Sequence, residues 1–407
     1  MISKSMSSTT IGDGDRFSEK IMRVLRKGPK RGMRAPQPEL ASRSNSEKAM
    51  KRLMIAAAAA GLTIAAVAGA SAQEKLKVGF IYVGPVGDMG WTYQHEVGRK
   101  AIQDQFKDKI DTTYLENVNE GPDAERSIEQ LVRAGNKLIY TTSFGFMDAT
   151  AKVAKKYPNV NFEHATGYKR DKNLATYSGR FYEGRYIQGV IAAKVSKSGT
   201  IGYIGSFPIP EVVSGINAMM LGAQSVRPDM KVKIIWVNTW YDPGKEAAAA
   251  RALADQGADV LTQHTDSAAA TQFANERGIY SFGQDSDMIK FGPKSQLTAI
   301  VNNWTPYYSD RIKLALDGKW TSGDVWGGLS SKIVQMAPYT NMPDDVKKLA
   351  ADTEQAISSG KLHPFKCPVL AQDGKPVECK GGTHLDDGQI LGMNFYIKGI
   401  DDKLPGM

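Results

Sequence analysis

The chain has 407 residues, 42% of them hydrophobic and 23% charged, which suits a globular protein of two ordinary domains. Its net charge of +9 does not indicate nucleic acid. Residues 1–72 hold 13 Lys/Arg against 5 Asp/Glu, which leaves 39 against 38 for the rest, so the body lacks the clustered cations that counterion release requires.

The first 49 residues are polar and basic without hydrophobic period. They read as a disordered or mis-assigned extension, with Met50 as the true start. Met50-Lys51-Arg52, an apolar run Leu53–Ala70 and the end Ala70-Ser71-Ala72 describe a secretory signal peptide over 50–72. The run is rich in Ala and Gly, so a membrane anchor is the weaker reading. Gln73 follows where a lipid-anchored protein would have Cys, so the mature form is expected to be periplasmic, not membrane-spanning, and a monomer.

Short apolar runs then alternate with helical segments. Leu76–Val83 is a strand buried on both faces, followed by a helix over Thr92–Phe106 and a strand over Asp111–Glu116. Ala124, Ile128, Leu131 and Val132 recur at helical spacing in Pro122–Ala134. Lys137–Ser143 is a strand, Asp148–Tyr157 a helix and Asn159–Ala165 a strand. The pattern restarts after Phe181. Helices are predicted over Glu183–Ser196, Glu211–Val226, Pro243–Gln256 and Ser267–Arg277, with Asp242 capping the third. Strands are predicted over Thr200–Gly205, Lys231–Asn238, Asp259–His264, Tyr280–Gln284 and Leu297–Asn302. Two successive series of this kind predict an α/β protein of two doubly wound lobes with parallel sheets. The lobes are assigned as 74–180 plus 297–320 and 181–296 plus 321–407.

Ligands of such sheets bind at the carboxyl ends of the strands. The loops there are rich in Gly, aromatic residues and Asp or Asn. They are Gly84–Trp91, Ser143–Asp148 (with Phe144 and Gly145), Gly205–Pro208 (with Phe207), Asn238–Asp242 (with Trp240) and Gly283–Asp287, with Asn302-Asn303-Trp304 opposite. Aromatic faces stack on a flat heteroaromatic ring, and carboxylates or amides meet its N–H groups. Cys367 and Cys379 are separated by eleven residues, and in an oxidising compartment they are expected to pair. Such a closure is worth roughly 2–3 kcal/mol. No Cys or His pair nearby favours a zinc site instead.

These motifs also carry a resemblance. Gly87-Asp88-Met89-Gly90-Trp91, Phe181-Tyr182-Glu183-Gly184 with Gly189, Asn238–Lys245, Gly283–Asp287 and Leu316–Trp320 resemble, in order and spacing, the BMP or PnrA-like substrate-binding proteins of ABC transporters. The likeness runs from about Lys75 to the C-terminus. It implies the type I periplasmic-binding fold, whose two lobes are joined by three crossing strands, an ABC permease as partner, and a purine nucleoside or related heterocycle as ligand. It also implies stacking by Trp91, base pairing by Asp148, sugar contacts by Asp285 and a hinge brace at Glu183. Two positions depart from the family. Asn302 stands where a sugar-directed Lys is usual, and Gly215 where a second aromatic is usual. With Trp240 and Trp304 added, the expectation is a smaller, drier pocket for a free base such as adenine, with a purine nucleoside second.

Three other readings are weighed. A dinucleotide-dependent oxidoreductase fails on Gly84, Gly87 and Gly90, whose spacing is Gly-x-x-Gly-x-x-Gly with Pro85 inside the turn. A hydrolase lacks the Gly-x-Ser-x-Gly elbow, and the five histidines show no metal-ligand spacing, so neither an enzyme nor a cofactor is expected. A chemoreceptor ligand-binding subunit of the same fold stays open.

Overall fold

The computed structural model describes residues 74–406. The predicted extension at 1–49 and signal peptide at 50–72 lie outside the described residues.

In chain order the first lobe runs β1 (Leu76–Ile81), α1 (Trp91–Phe106), β2 (Ile110–Leu115), α2 (Pro122–Arg133), β3 (Leu138–Thr141), α3 (Met147–Lys156), β4 (Asn161–Ala165) and β5 (Leu174–Gly179). The second continues with α4 (Phe181–Val195), β6 (Thr200–Gly205), α5 (Pro210–Gln224), β7 (Lys231–Trp236), α6 (Pro243–Asp255), β8 (Val260–His264), α7 (Ala269–Arg277), β9 (Tyr280–Gly283) and β10 (Gln296–Asn302). The chain then returns through α8 (Thr305–Leu316) and β11 (Asp324–Gly327), and ends with β12 (Val334–Met336), α9 (Asp344–Ser358) and α10 (Asp387–Leu391).

Two six-stranded sheets result, ordered β11-β5-β4-β3-β1-β2 and β12-β10-β9-β8-β6-β7. Every pairing is parallel except that of β10 with β12. Strands β3 and β8 are buried along their whole length, β3 as a largely apolar run and β8 with Thr262, Gln263 and His264 at its carboxyl end. The fold is that of the type I periplasmic-binding proteins, and the chain crosses between lobes at residue 180, at 303–304 and at 328–333.

Those crossings correct the lobe boundaries. Residues 297–302 belong to the second sheet, where β10 pairs with β9 and β12, and Asp324–Gly327 belongs to the first, paired with β5. Alternation reveals a strand such as 297–302 but not the sheet it joins, and the short Asp324–Gly327 gives no strand signal at all. Glu183, in the first turn of α4, accepts the Leu329 amide at 2.7 Å and so ties that helix to the third crossing.

Helices α4 and α5 pack almost backbone to backbone. A Cβ on Gly189 would meet the Met219 carbonyl at 2.0 Å, and one on Gly222 the Tyr186 carbonyl at 2.1 Å. Cys367 and Cys379 are joined in a disulfide. Among the described residues no helix is long and apolar enough to cross a membrane.

Candidate ligand site between the lobes

Each sheet reverses its strand order beside its first strand, between β1 and β3 and between β6 and β8. A crevice forms there outside the strand ends, where ligands of such sheets bind. The loops after both sets of strands meet around a narrow pocket of about 20 Å³. The first lobe contributes Val83, Trp91, Ser143, Phe144 and Thr166; the second contributes Glu211, Trp240, His264, Asp266 and Asp285.

The aromatic wall is fixed from beneath. Trp91 opens α1, whose start is held by Asp88: its carboxylate accepts the amides of Gly90, Thr92 and Tyr93 at 2.8–3.0 Å. The indole donates to the Thr142 carbonyl and meets His95, Trp304 and Phe181 edge-on, with centroids 4.6, 5.5 and 6.0 Å away. His95 is fully buried, stacks on Trp304 at 4.9 Å, and is held neutral by desolvation. Such a layered base gives Trp91 one orientation before any ligand arrives.

The facing wall is acidic but mostly uncharged. Pro208 and Pro210 hold the segment after β6 extended and start α5, so Glu211 projects from its first turn. Burial pushes the Glu211 carboxyl up to about 8, against a hydrogen bond from Ser178 and the charge of Arg185. Its side chain keeps 21% exposure, and it lines the pocket. His264 Nε2 lies 3.4 Å from Glu211 Oε1 and stays neutral, through burial first and the Arg185 charge second. Asp266 is raised well above the carboxylate range by burial and then by Asp88, Asp285 and Glu246. Its Oδ2 has no hydrogen-bond partner. Asp285 is raised by burial against the pull of Asn302 and Arg185.

Behind this wall Arg185 is fully buried, and its guanidinium donates to Gln188 and Thr262 at 2.9 and 2.7 Å, to the Gln263 carbonyl at 2.6 Å, and to Gln284. Three non-glycine residues at the rim take left-handed backbone: Met89 at φ 70°, Thr166 at 61° and Asp285 at 61°. For the β-branched Thr166 this conformation is a true outlier, and such strain concentrates where ligands are held.

The lobes touch around the pocket. Trp240 Nε1 of the second donates to Glu120 Oε1 of the first at 3.3 Å, and Glu120 also accepts Ser143 Oγ at 2.6 Å and the Gly145 amide at 3.1 Å. Ser286 Oγ donates to the Met89 carbonyl. Gly90 lies so near the second lobe that a Cβ there would sit 2.4 Å from the Asp266 carbonyl oxygen.

Of the residues expected from sequence, the pocket brings together Trp91, Phe144, Trp240 and Asp285. Phe207 lies beside it, its ring 5.1 Å from Trp240. Asn302 is buried behind it, donating to Asp285 Oδ1 at 2.7 Å, and so positions that acid. Gly145 lies outside the lining, its amide bound to Glu120. Asp148 is corrected: it sits in the first turn of α3 with its side chain 79% exposed and paired with Lys169, because the preceding turn Phe144–Phe146 rotates it onto the surface. Glu211, His264 and Asp266 went unnoticed in the sequence. Glu211 reads as a helix start, and His264 as one of five scattered histidines. Applying the strand-end rule to β8 as to the other strands would have found Asp266.

Comparison with known proteins agrees with this geometry. The family model for PnrA-like ABC transporter substrate-binding proteins matches residues 75–363. The chain is 63% identical over 350 residues to a purine-binding protein of Brucella abortus, covering 84% of this chain and all of the relative. It is 38% identical over 338 residues to TsgA13 of Haloferax volcanii, assigned to glucose binding in an ABC transporter, covering 83% of each. The solved ABC transporter solute-binding protein of Aeropyrum pernix superposes with a TM-score of 0.62 over 72% of this chain and 94% of its own, at 19% identity, which supports the fold. The chain therefore belongs to the PnrA-like family of ABC transporter substrate-binding proteins.

Proposed function

We propose that this protein binds a free purine base, adenine-like, between its lobes and delivers it in the periplasm to the permease of an ABC importer. The observation that carries the reading is the pairing of two unlike walls. Trp91, Phe144 and Trp240 offer aromatic surface, while Glu211 and Asp266 offer carboxyl groups that burial keeps protonated. A protonated carboxyl presents a donor and an acceptor side by side, which matches the alternating ring N and N–H groups along a purine edge. Among the described residues the lining holds no lysine or arginine, so nothing there favours a phosphorylated ligand. The 63% identical Brucella relative, named for purine binding, supports the same class.

Binding works by closure. The open form separates the two walls, and only the closed form offers both to one ring. Stacking worth about 1–3 kcal/mol per face, with several hydrogen bonds, reaches a micromolar constant, roughly −8 kcal/mol. A purine nucleoside is the second reading, favoured by the larger cavity that adjoins the pocket at Glu211. Calorimetry on ligand-stripped protein with adenine, adenosine and glucose tests the proposal. Adenine is expected to bind at micromolar Kd or better and adenosine at least tenfold more weakly. Adenosine binding tenfold more tightly than adenine moves the assignment to nucleosides, and binding of glucose alone overturns it.

A further inference from the structure

The C-terminal segment 364–406 lies beyond the residues that the family model matches. It is nevertheless built into the second lobe. Its Phe395 carbonyl and Ile397 amide bond the side chain of the buried Asn217 at 2.8 and 3.2 Å. Asp402 accepts the Ile234 amide at 2.7 Å, and the Cys367–Cys379 disulfide closes the segment's first loop. Asp387, at the start of α10, takes the guanidinium of Arg180 at 2.7–2.8 Å, at the point where the chain first crosses between lobes.

This placement creates a second cavity. It measures about 340 Å³ and shares Phe144, Thr166 and Glu211 with the pocket between the lobes. Beyond that throat its walls are largely apolar. They include Phe181, Ile209 and Trp326, and the C-terminal segment adds Ile390 and Leu391. The two charged side chains at the far end, Arg170 and Asp324, are paired with each other at 3.1 Å. Two of the four exposed large hydrophobic residues among those described, Tyr168 at 66% and Leu391 at 52%, line this cavity. The lobes are in contact around the first pocket while the second stays open, so closing on a ring does not fill this space.

We propose that the second cavity is an extension of the ligand site, walled by the C-terminal segment, that receives an apolar substituent of the bound ring through the throat between Phe144, Thr166 and Glu211. The ligand class widens from free bases to purines carrying an aryl or alkyl group, and the inference rests on the purine reading above. A phosphate suits the cavity less well, because its cation is already paired.

The test is calorimetry of the full-length, ligand-stripped protein with adenine, N6-benzyladenine and 9-benzyladenine, since either edge of the ring can face the throat. At least one benzyl derivative is expected to bind within tenfold of adenine. If adenine binds and both derivatives are weaker by more than tenfold, the extension is refuted while the purine reading stands; if none binds, the purine reading itself falls. The exposed Leu391→Asp then locates the group. Tolerated derivatives are expected to weaken at least fivefold and adenine less than twofold, whereas unchanged binding of the derivatives places their substituent elsewhere and overturns the proposal. Tyr168→Ala, a second exposed lining residue, checks the result independently with the same expected pattern.

Discussion

The two walls of the pocket are made in opposite ways. The first-lobe wall is an aromatic stack whose position is fixed by packing: Trp91 rests on His95, Trp304 and Phe181, and its indole N–H is spent on Thr142. The second-lobe wall, apart from Trp240, is polar and held partly unsatisfied: Asp266 Oδ2 lacks a partner, and burial pushes Glu211 up to about 8. One wall is a finished surface that a ring can lie against. The other stores unmet hydrogen-bonding capacity, at a cost of about 1–3 kcal/mol for each buried unmet group. The contrast suggests that stacking supplies affinity broadly, while the acid wall decides which ring edge is accepted.

The sharpest way to break the comparison is to remove what holds the acid wall together. Arg185→Met deletes the buried cation facing His264, Glu211 and Asp285 and strands four acceptors. Each buried acceptor left without a partner costs about 1–3 kcal/mol, so the loss runs to several kcal/mol. Urea unfolding should show a loss of that order, and the matching loss for Trp91→Phe should be small.

Gly90→Ala tests the meeting of the walls. Its backbone, at φ −118° and ψ −123°, lies outside the regions an L-residue favours, so the variant is also expected to melt somewhat lower. The added Cβ runs into the backbone of Asp266, which cannot swing aside. Overpacking costs typically about 1–3 kcal/mol. Ligand titration at a temperature where the variant is fully folded should therefore show at least tenfold weaker binding.

Trp91→Ala removes the aromatic wall's largest member. Loss of stacking is worth about 1–3 kcal/mol, so calorimetry should report at least a tenfold rise in Kd without loss of fold. An unchanged Kd would remove Trp91 from the binding wall.

A pH dependence also belongs to the acid wall. Burial pushes the Glu211 carboxyl up to about 8, above the ordinary 4.5 of a glutamate, so the folded state binds more protons than the unfolded state between these values. Stability is then fully present below about pH 4.5 and declines as pH rises toward about 8, and the raised Asp285 and Asp266 act in the same direction. Thermal melts of ligand-free protein from pH 5 to 8 should fall with pH, and Glu211→Gln should flatten the slope.

Much of the first wall was legible in the sequence because glycine-rich loops after apolar strands seldom hide a tryptophan, and Trp91 and Phe144 sit in such loops. The acid wall was harder to see. Glu211 follows Pro210 and carries every mark of an ordinary helix start, and its special state arises only from burial against the other lobe. Asp148 misled for the converse reason, since its position in a promising loop says nothing about the turn that rotates it outward. Strands β5, β11 and β12 are short or mixed in polarity and were not foreseen, and with them went the route of the crossings.

The most direct measurement is a crystal structure of the stripped protein recharged with adenine. The account predicts a planar ring against Trp91 or Phe144, with ring nitrogens or the exocyclic amine within hydrogen-bond distance of Glu211 or Asp266. A ring bound outside the space between the lobes, or one held with neither carboxyl in reach, would contradict it.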